Sequence, residues 1–357
     1  MRIVPDRLKK VASAILLSLG ASSEEADLIA ESLVKAEMRG IPTHGVNFLP
    51  MLAERIGQGL VTVPTPLQTI NDEDAVAHID GGNGLGQVAA DFAMAKAIEK
   101  ASRFGIGAAL VRNTNHIGLL AFYTMKAAAN GMVGFCMSNS APSIAPWGGR
   151  EAFFGTNPFS VAAPCGDGQP VVLDMSTSVV ARGKIRRAIR LKEDIPPGWA
   201  LDGAGAPTTD PEEAMNGTLL PIGGPKGYGM AFFIDLISGL LSGSKFSRDV
   251  STFHKPIRPT GVGVTTVAID IRRFMPIEVF AELVRDHVAA IRDSEKVDDA
   301  GRIYLPGQIE AEREALASVD GIELDLPVQA ALEKLIESKG LDVRLNSDEV
   351  SQAHSKE

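Results

Sequence analysis

The chain has 357 residues, with 35 Lys and Arg against 44 Asp and Glu, a formal net charge of −9. That balance, with no dense basic stripe, excludes a nucleic-acid binder held by clustered cations, and the 45% apolar content excludes a disordered chain. Two cysteines, Cys136 and Cys165, with no CxxC and no Cys/His cluster at ligand spacing, predict neither a disulfide framework nor a metal site.

In chain order, Leu8, Val11, Ile15 and Leu16 recur at helical spacing and predict an amphipathic helix over 5–20. The charges ahead of it resemble a secretion signal, but no small-residue cleavage site follows, so a cytoplasmic protein is expected. A second helix over 22–39 opens with Ser22 and Glu25 at capping-box spacing and carries Ala26, Ile29, Leu33 and Val34 on one face. A third is predicted from about Gly45 to Ile56, closed by Gly57 and Gly59. From residue 74 the period changes to short β-branched or apolar runs bounded by Gly, Pro and Asn: DAVAHID, GIGAALVR, GMVGFCMS, FSVAAP and PVVLDMS read as strands. Helices are predicted at 87–103 and 118–130 between them. The stretch 186–221 is rich in Pro, Gly and acids and reads as a long loop. Segment 225–243 is apolar nearly all round and reads as a buried helix, followed by a strand at 262–271, a helix at 276–293, and two C-terminal helices in PGQIEAEREAL and PVQAALEKLIESKG. The last dozen residues are polar and read as a frayed tail. No apolar run reaches the roughly 18 residues of a membrane span. The pattern is α/β: a central mixed sheet with helices, and helices at both ends of the chain.

Familiar signatures are absent. Residues 81–86 read GGNGLG and 105–110 read GIGAAL, neither with Rossmann glycine spacing, and no P-loop, HExxH or GxSxG occurs. Chemistry instead concentrates in polar loops. His116, in VRNTNHIGLL, follows a buried strand, where open α/β sheets hold ligands. His44, in PTHG, is flanked by Thr43, whose hydroxyl is able to orient the imidazole; its plainer reading is an exposed turn histidine. His78 alternates within a strand and reads as structural, and His254, His287 and His354 carry no assigned role. Asp174 ends a strand, placed to hold ribose hydroxyls or to cap a helix, with the cations Arg182 and Lys184 beyond it. GGPKGYG precedes the apolar helix, where exposed amides and Lys226 suit an anion.

Taken together, GIPTHGVNFLPM, NTNHIGLLAFY, SNSAPSIAPWGGREAFFGTNP, LDMSTSVVARGKI, GGPKGYGM and YLPGQIEAE resemble the malate/L-lactate dehydrogenase-like family over roughly residues 5–340. The resemblance implies a non-Rossmann malate/L-sulfolactate dehydrogenase-like fold. It further implies a nicotinamide-dependent oxidoreductase, homodimeric, with active sites at the subunit interface. It divides the chain into a helical, dimer-forming domain, 1–72 with 309–357, and a cofactor-binding α/β domain, 73–308. Residue by residue, it places proton exchange on His116 or His44 with Thr43 as relay, and a carbonyl-polarising or carboxylate-holding role on Lys184. It places the cofactor along Ile117, Gly118, Leu119, Leu120, Ser140, Asp174, Met175, Ser176, Gly224, Lys226, Pro306, Gly307 and Gln308. Thr156 matches a substrate contact.

Two positions depart from the pattern. Lys184 stands where the imine-reducing members carry an Asp, which favours a 2-hydroxy acid substrate over a cyclic imino acid. Phe48 stands where members carry the Arg that binds the substrate carboxylate, and a neutral ring makes no bidentate carboxylate contact. Arg182, Lys184 and Arg186 are the candidate replacements. NAD is favoured through Asp174, whereas Arg182 is able to accept the 2′-phosphate of NADP. The expectation is NAD(P)-dependent interconversion of a small 2-hydroxy acid and its 2-oxo acid. The alternatives are a cyclic imino-acid reductase and a nucleotide-binding protein that has lost catalysis through Phe48.

Overall fold

The protein is described by a computed structural model over residues 2–166, 168–254, 257–298 and 301–345; the polar C-terminal tail, with His354, lies outside the described residues. The chain forms two units, one of residues 1–59 with 309–357 and the other of residues 60–308.

The first unit begins with strand β1 (Arg2–Ile3) and helices α1 (Pro5–Ser18), α2 (Ser23–Met38) and α3 (Phe48–Gly57). Pro5 starts α1, where its missing N–H and fixed φ cost nothing. The capping box of α2 closes both ways: the Glu25 amide donates to Ser22 Oγ at 3.3 Å, and the Ser22 amide to Glu25 Oε2 at 2.8 Å. Leu8, Val11, Ile15 and Leu16 of α1 and Ala26, Ile29 and Leu33 of α2 are all 0–1% exposed, the stripe that the periodicity predicts. The third helix starts three residues later than its sequence suggests, because Pro42–His44 turn as a 3₁₀ helix first.

The second unit contains, in order, β2 (Gln68–Glu73), β3 (Val76–Asp80), α4 (Gly86–Phe104), β4 (Ile106–Thr114), α5 (Ala121–Ala129), β5 (Met132–Ser138), β6 (Phe159–Ala163), β7 (Val171–Met175), α6 (Arg182–Leu191), β8 (Ala200–Leu201), β9 (Pro207–Thr208), α7 (Pro211–Asn216), β10 (Thr218–Leu219), α8 (Pro225–Asp235), β11 (Val262–Asp270) and α9 (Ile277–Arg292). The chain then returns to the first unit through α10 (Gln308–Asp320), β12 (Ile322–Glu323) and α11 (Leu326–Ser338). There β12 pairs antiparallel with β1, Arg2 opposite Glu323 and Ile3 opposite Ile322, so the two ends of the chain share one small sheet.

The main sheet has seven strands in the order β2-β3-β4-β11-β5-β6-β7. Only β3 and β4 are parallel; every other neighbour is antiparallel, unlike the parallel sheet that a Rossmann fingerprint accompanies. β11 is central and mostly buried, which explains its nearly continuous apolar run. Residues 60–72 belong with this sheet and not with the helical unit, because β2 pairs with β3. β2 is exposed along its length and reads QTINDE, so it carries no hydrophobic alternation to betray it.

Two sequence expectations are corrected here. The stretch 186–221 is not a long loop. It holds the end of α6, then α7 and a three-stranded sheet in the order β10-β8-β9, all packed on Ile185, Ala188, Ile195, Ala200, Ala214 and Leu219. Nor is 225–243 a helix buried all round. It is α-helical to Asp235 and π-helical over Leu236–Leu241, it buries Gly227, Ala231, Asp235, Ser238 and Gly239, and it leaves Phe233 61% and Leu241 66% exposed. The small residues face the sheet because the backbones approach closely: a Cβ on Gly263 of β11 would lie 1.6 Å from the Ser238 carbonyl oxygen. No described helix is long and apolar enough to cross a membrane.

Candidate functional site

β4 and β5 both run antiparallel to β11, and β6 reverses the chain between β5 and β7, so β3, β4, β5 and β7 point the same way. The segments that follow these strands, and those that precede β6 and β11, gather at one end of the sheet. His116 follows β4, Ser140 follows β5, Thr156 precedes β6 and Ser176 follows β7. Topology thus brings together residues that lie up to sixty positions apart in sequence, at the end where α/β sheets hold ligands.

The His116 loop is held from beneath. Buried Asn115 donates to the Gly84 carbonyl at 2.8 Å and accepts from Thr260 Oγ1 at 2.8 Å. The start of α4 packs so closely that a Cβ on Gly86 would lie 2.2 Å from the His116 carbonyl oxygen. The Tyr123 hydroxyl donates to the carbonyl of Ile117. His116 itself is half-buried, and its Nδ1 accepts the Gly118 amide at 3.1 Å, which sets the proton of the neutral ring on Nε2. Gly118 reaches this contact at a φ of +70°. The helix predicted from 118 begins only at Ala121, because residues 116–120 form this loop.

The amides of Ile117, Leu119 and Leu120 find no acceptor among the described residues. They lie at the positive end of α5, and such a run of donors fits an anionic group such as a dinucleotide pyrophosphate. Asp174 Oδ2 accepts the Ala121 amide at 2.7 Å, so the carboxylate caps α5 from the neighbouring strand. Other predicted cofactor positions are joined to the same sheet end. The Ser140 amide donates to Asn157 Oδ1 at 3.0 Å, with its hydroxyl 3.4 Å from Thr156 Oγ1. The Thr156 carbonyl accepts both the amide and the hydroxyl of Thr177 at 2.9 Å. Thr177 in turn accepts the Ile222 amide at 2.9 Å, tying Met175 and Ser176 to the turn at Gly224 and exposed Lys226 that starts α8. Pro306 accepts the Val172 amide at 3.1 Å, and a Cβ on Gly307 would lie 2.7 Å from the Val172 carbonyl, so Pro306, Gly307 and Gln308 lie along β7. A separate cavity of about 400 Å³ is lined by Pro146, Trp147, Leu201 and Thr218. It does not include His116, and its walls offer no titratable group.

The three candidate cations differ. Arg182 directs Nε to Ser143 Oγ at 3.2 Å and its two terminal nitrogens to the carbonyls of Met215 and Gly217 at 3.1 and 3.2 Å. It braces the small sheet, and these bonds withdraw it from the substrate and 2′-phosphate roles that its sequence position suggests. Lys184 is exposed on the first turn of α6. Arg186, one turn further on, is half-buried and donates to His254 Nε2 at 3.0 Å. Phe253, next to that histidine, sets its ring 6.0 Å from that of His116. Sequence position alone left His254 without a role, because a polar loop histidine more than a hundred residues from His116 carries no spacing signal.

In the other unit, Thr43 Oγ1 lies 3.0 Å from His44 Nδ1, and burial pulls the pKa of that imidazole down to about 4, so it is neutral at neutral pH. Phe48 is 4% exposed and packs on the inner face of α3 with Leu49 and Leu52. Behind the turn, Glu37 Oε1 accepts the Val46 amide at 2.9 Å. Burial raises its carboxyl from 4.5 to about 7, with Asp325 adding to the rise. The folded form therefore holds a proton that the unfolded chain releases. Its contribution is complete below pH 4.5 and is lost as pH rises through about 7. Glu37→Gln keeps the acceptor and removes the titration. Urea unfolding of both proteins should show wild type losing up to about 3 kcal/mol relative to the variant between pH 4.5 and 8, whereas parallel profiles would refute the buried carboxyl.

Residues 3–333 match the family described as malate/L-lactate dehydrogenase. The chain belongs to that family. The malate dehydrogenase of Pyrococcus horikoshii is 38% identical over 346 residues, 94% of each chain. The NAD(+) ureidoglycolate dehydrogenase of Escherichia coli K12 is 34% identical over 328 residues, 91% of this chain and 93% of the relative. The solved structure of sulfolactate dehydrogenase from Methanocaldococcus jannaschii matches with a TM-score of 0.90 at 34% identity, covering 97% of this chain and 98% of that one. As a malate/L-lactate dehydrogenase family member, this protein is a dehydrogenase, and its mixed sheet is the family's fold.

Proposed function

We propose that this enzyme interconverts a small 2-hydroxy acid and its 2-oxo acid, with NAD as hydride carrier and His116 as the group that exchanges the proton. The observation that carries this reading is the loop 116–121, which places an oriented imidazole beside a run of amides without acceptors at the start of α5. When bound, the nicotinamide supplies or accepts the hydride at C2 of the substrate. Ile117, Leu119 and Leu120 are the amides that would hold its pyrophosphate, and the segments at Ser140, Asp174–Ser176 and Gly224–Lys226 would line the rest. The bonds that occupy Arg182 support NAD over NADP. The exposed apolar residues Phe232, Phe233, Leu240 and Leu241 support a homodimer.

In oxidation the substrate hydroxyl gives its proton to Nε2 of His116; in reduction Nε2 returns it to the 2-oxo oxygen. Either transfer passes through a ring that carries a proton on Nδ1, so the reading requires the Gly118 amide, which donates to Nδ1 in this structure, to release it when substrate binds. The reading is tested by following NADH and NADPH oxidation with oxaloacetate, pyruvate, 3-sulfopyruvate and a cyclic imino acid. Turnover with at least one 2-oxo acid, and with NADH in preference to NADPH, is expected. Turnover of the cyclic imine alone favours an imino-acid reductase, and NADH binding without turnover favours a protein that has lost catalysis.

A further inference from the structure

We infer that Arg186, oriented by His254, is the guanidinium that receives the substrate carboxylate, replacing the arginine whose place Phe48 takes. The inference rests on the 2-oxo acid reading above and assigns its anion site. Phe48 is neutral and packed into its own unit, Arg182 spends its donors on Ser143, Met215 and Gly217, and Lys184 is exposed. Arg186 alone combines a half-buried guanidinium with a connection to His116, through His254 and the Phe253 ring.

The pairing is unusual in charge. Arg186 makes no ion pair among the described residues, and its one hydrogen-bond partner there is an imidazole. His254 is exposed over part of its surface, yet burial of the rest of the ring and the neighbouring guanidinium pull its pKa down to about 4, so it is a neutral acceptor at neutral pH. It orients Arg186 without cancelling its charge. A partly desolvated cation left uncompensated is costly, and an incoming anion removes that cost. Nη1 is engaged with His254, which leaves the Nε/Nη2 edge, the edge that meets a carboxylate with two parallel hydrogen bonds. Phe253 precedes His254 in the chain and sets its ring 6.0 Å from that of His116, so the imidazole that orients Arg186 belongs to the segment that borders the proton-exchanging ring. The ligand class is a small carboxylate with an oxygen substituent on the next carbon.

The probe is oxamate, a stable mimic of a 2-oxo acid, titrated calorimetrically into the full-length enzyme with NADH present. Arg186→Gln should weaken oxamate binding roughly 10- to 100-fold, the loss expected for a charge-assisted pair, and leave NADH affinity within about twofold. Arg186→Lys should recover part of the loss, and His254→Gln should weaken oxamate several-fold while keeping the cation. Both controls hold if Arg186→Gln proves unstable. Unchanged oxamate affinity in Arg186→Gln, or no oxamate binding by wild type, overturns the assignment. Failure of the 2-oxo acid reading appears separately, as NADH left unoxidised by wild type with every 2-oxo acid.

Discussion

Asparagine in place of His116 is expected to lower turnover by roughly 10²–10⁴-fold while leaving NADH binding unchanged within about twofold. Asn is short and has no titratable nitrogen, so it preserves polarity in the loop and removes only proton exchange. The loop itself should stand, because Asn115, Thr260 and Tyr123 hold it without the imidazole. KM for the 2-oxo acid should change less than kcat, since Arg186 and not His116 is assigned the carboxylate. His44→Asn is the companion measurement, because the resemblance places the same role on either histidine. Near-normal turnover in His116→Asn, with a collapse in His44→Asn, would transfer the acid/base role to His44.

Asp235→Ala should destabilise the protein by about 3 kcal/mol or more in urea unfolding. Asp235 is 3% exposed at the junction of α8 with its π-helical continuation. Its Oδ2 accepts the Ser247 hydroxyl at 2.6 Å and the Ser247 amide at 3.0 Å, and its Oδ1 accepts Asn139 Nδ2 at 3.1 Å. Truncation strands three buried donors, which costs more than the bonds themselves contribute. The effect should reach the site, because Asn139 also accepts the Gly263 amide at 2.9 Å and immediately precedes Ser140. A cost below about 1 kcal/mol would show that water or a rearranged turn replaces the carboxylate.

Strong local periodicity made most elements legible. The stripes of α1 and α2, the Ser22–Glu25 capping box and the β-branched runs of β4, β5 and β11 name their own structures. Where burial comes from tertiary packing the signal fails. Strand β2 has no buried face, the strands β8 to β10 are two residues each, and α6 hides Ile185 and Ala188 among four arginines and a lysine. In 225–243 apolarity misleads: the residues that pack on β11 are Gly and Ser, and the phenylalanines face outward.

The site divides in the same way. His116, Ser140, Thr156 and Asp174 are legible because each stands where a strand gives way to polar residues, and the strand order gathers them. Asp174 is a helix cap by contact, but for α5, which precedes it in the chain; no local pattern discloses such a partner. Arg182 and Arg186 are equivalent as letters in VARGKIRRAIR. Only three-dimensional contacts separate the brace on Met215 and Gly217 from the cation beside His254.

The most direct measurement follows the hydride itself. A 2-oxo acid reduced by this enzyme with NADH deuterated at the transferable C4 position should yield the 2-hydroxy acid with deuterium on C2, read by mass spectrometry and proton NMR. Deuterium retained in the cofactor across all 2-oxo acids, with NADH bound but not consumed, would contradict dehydrogenase function for this chain.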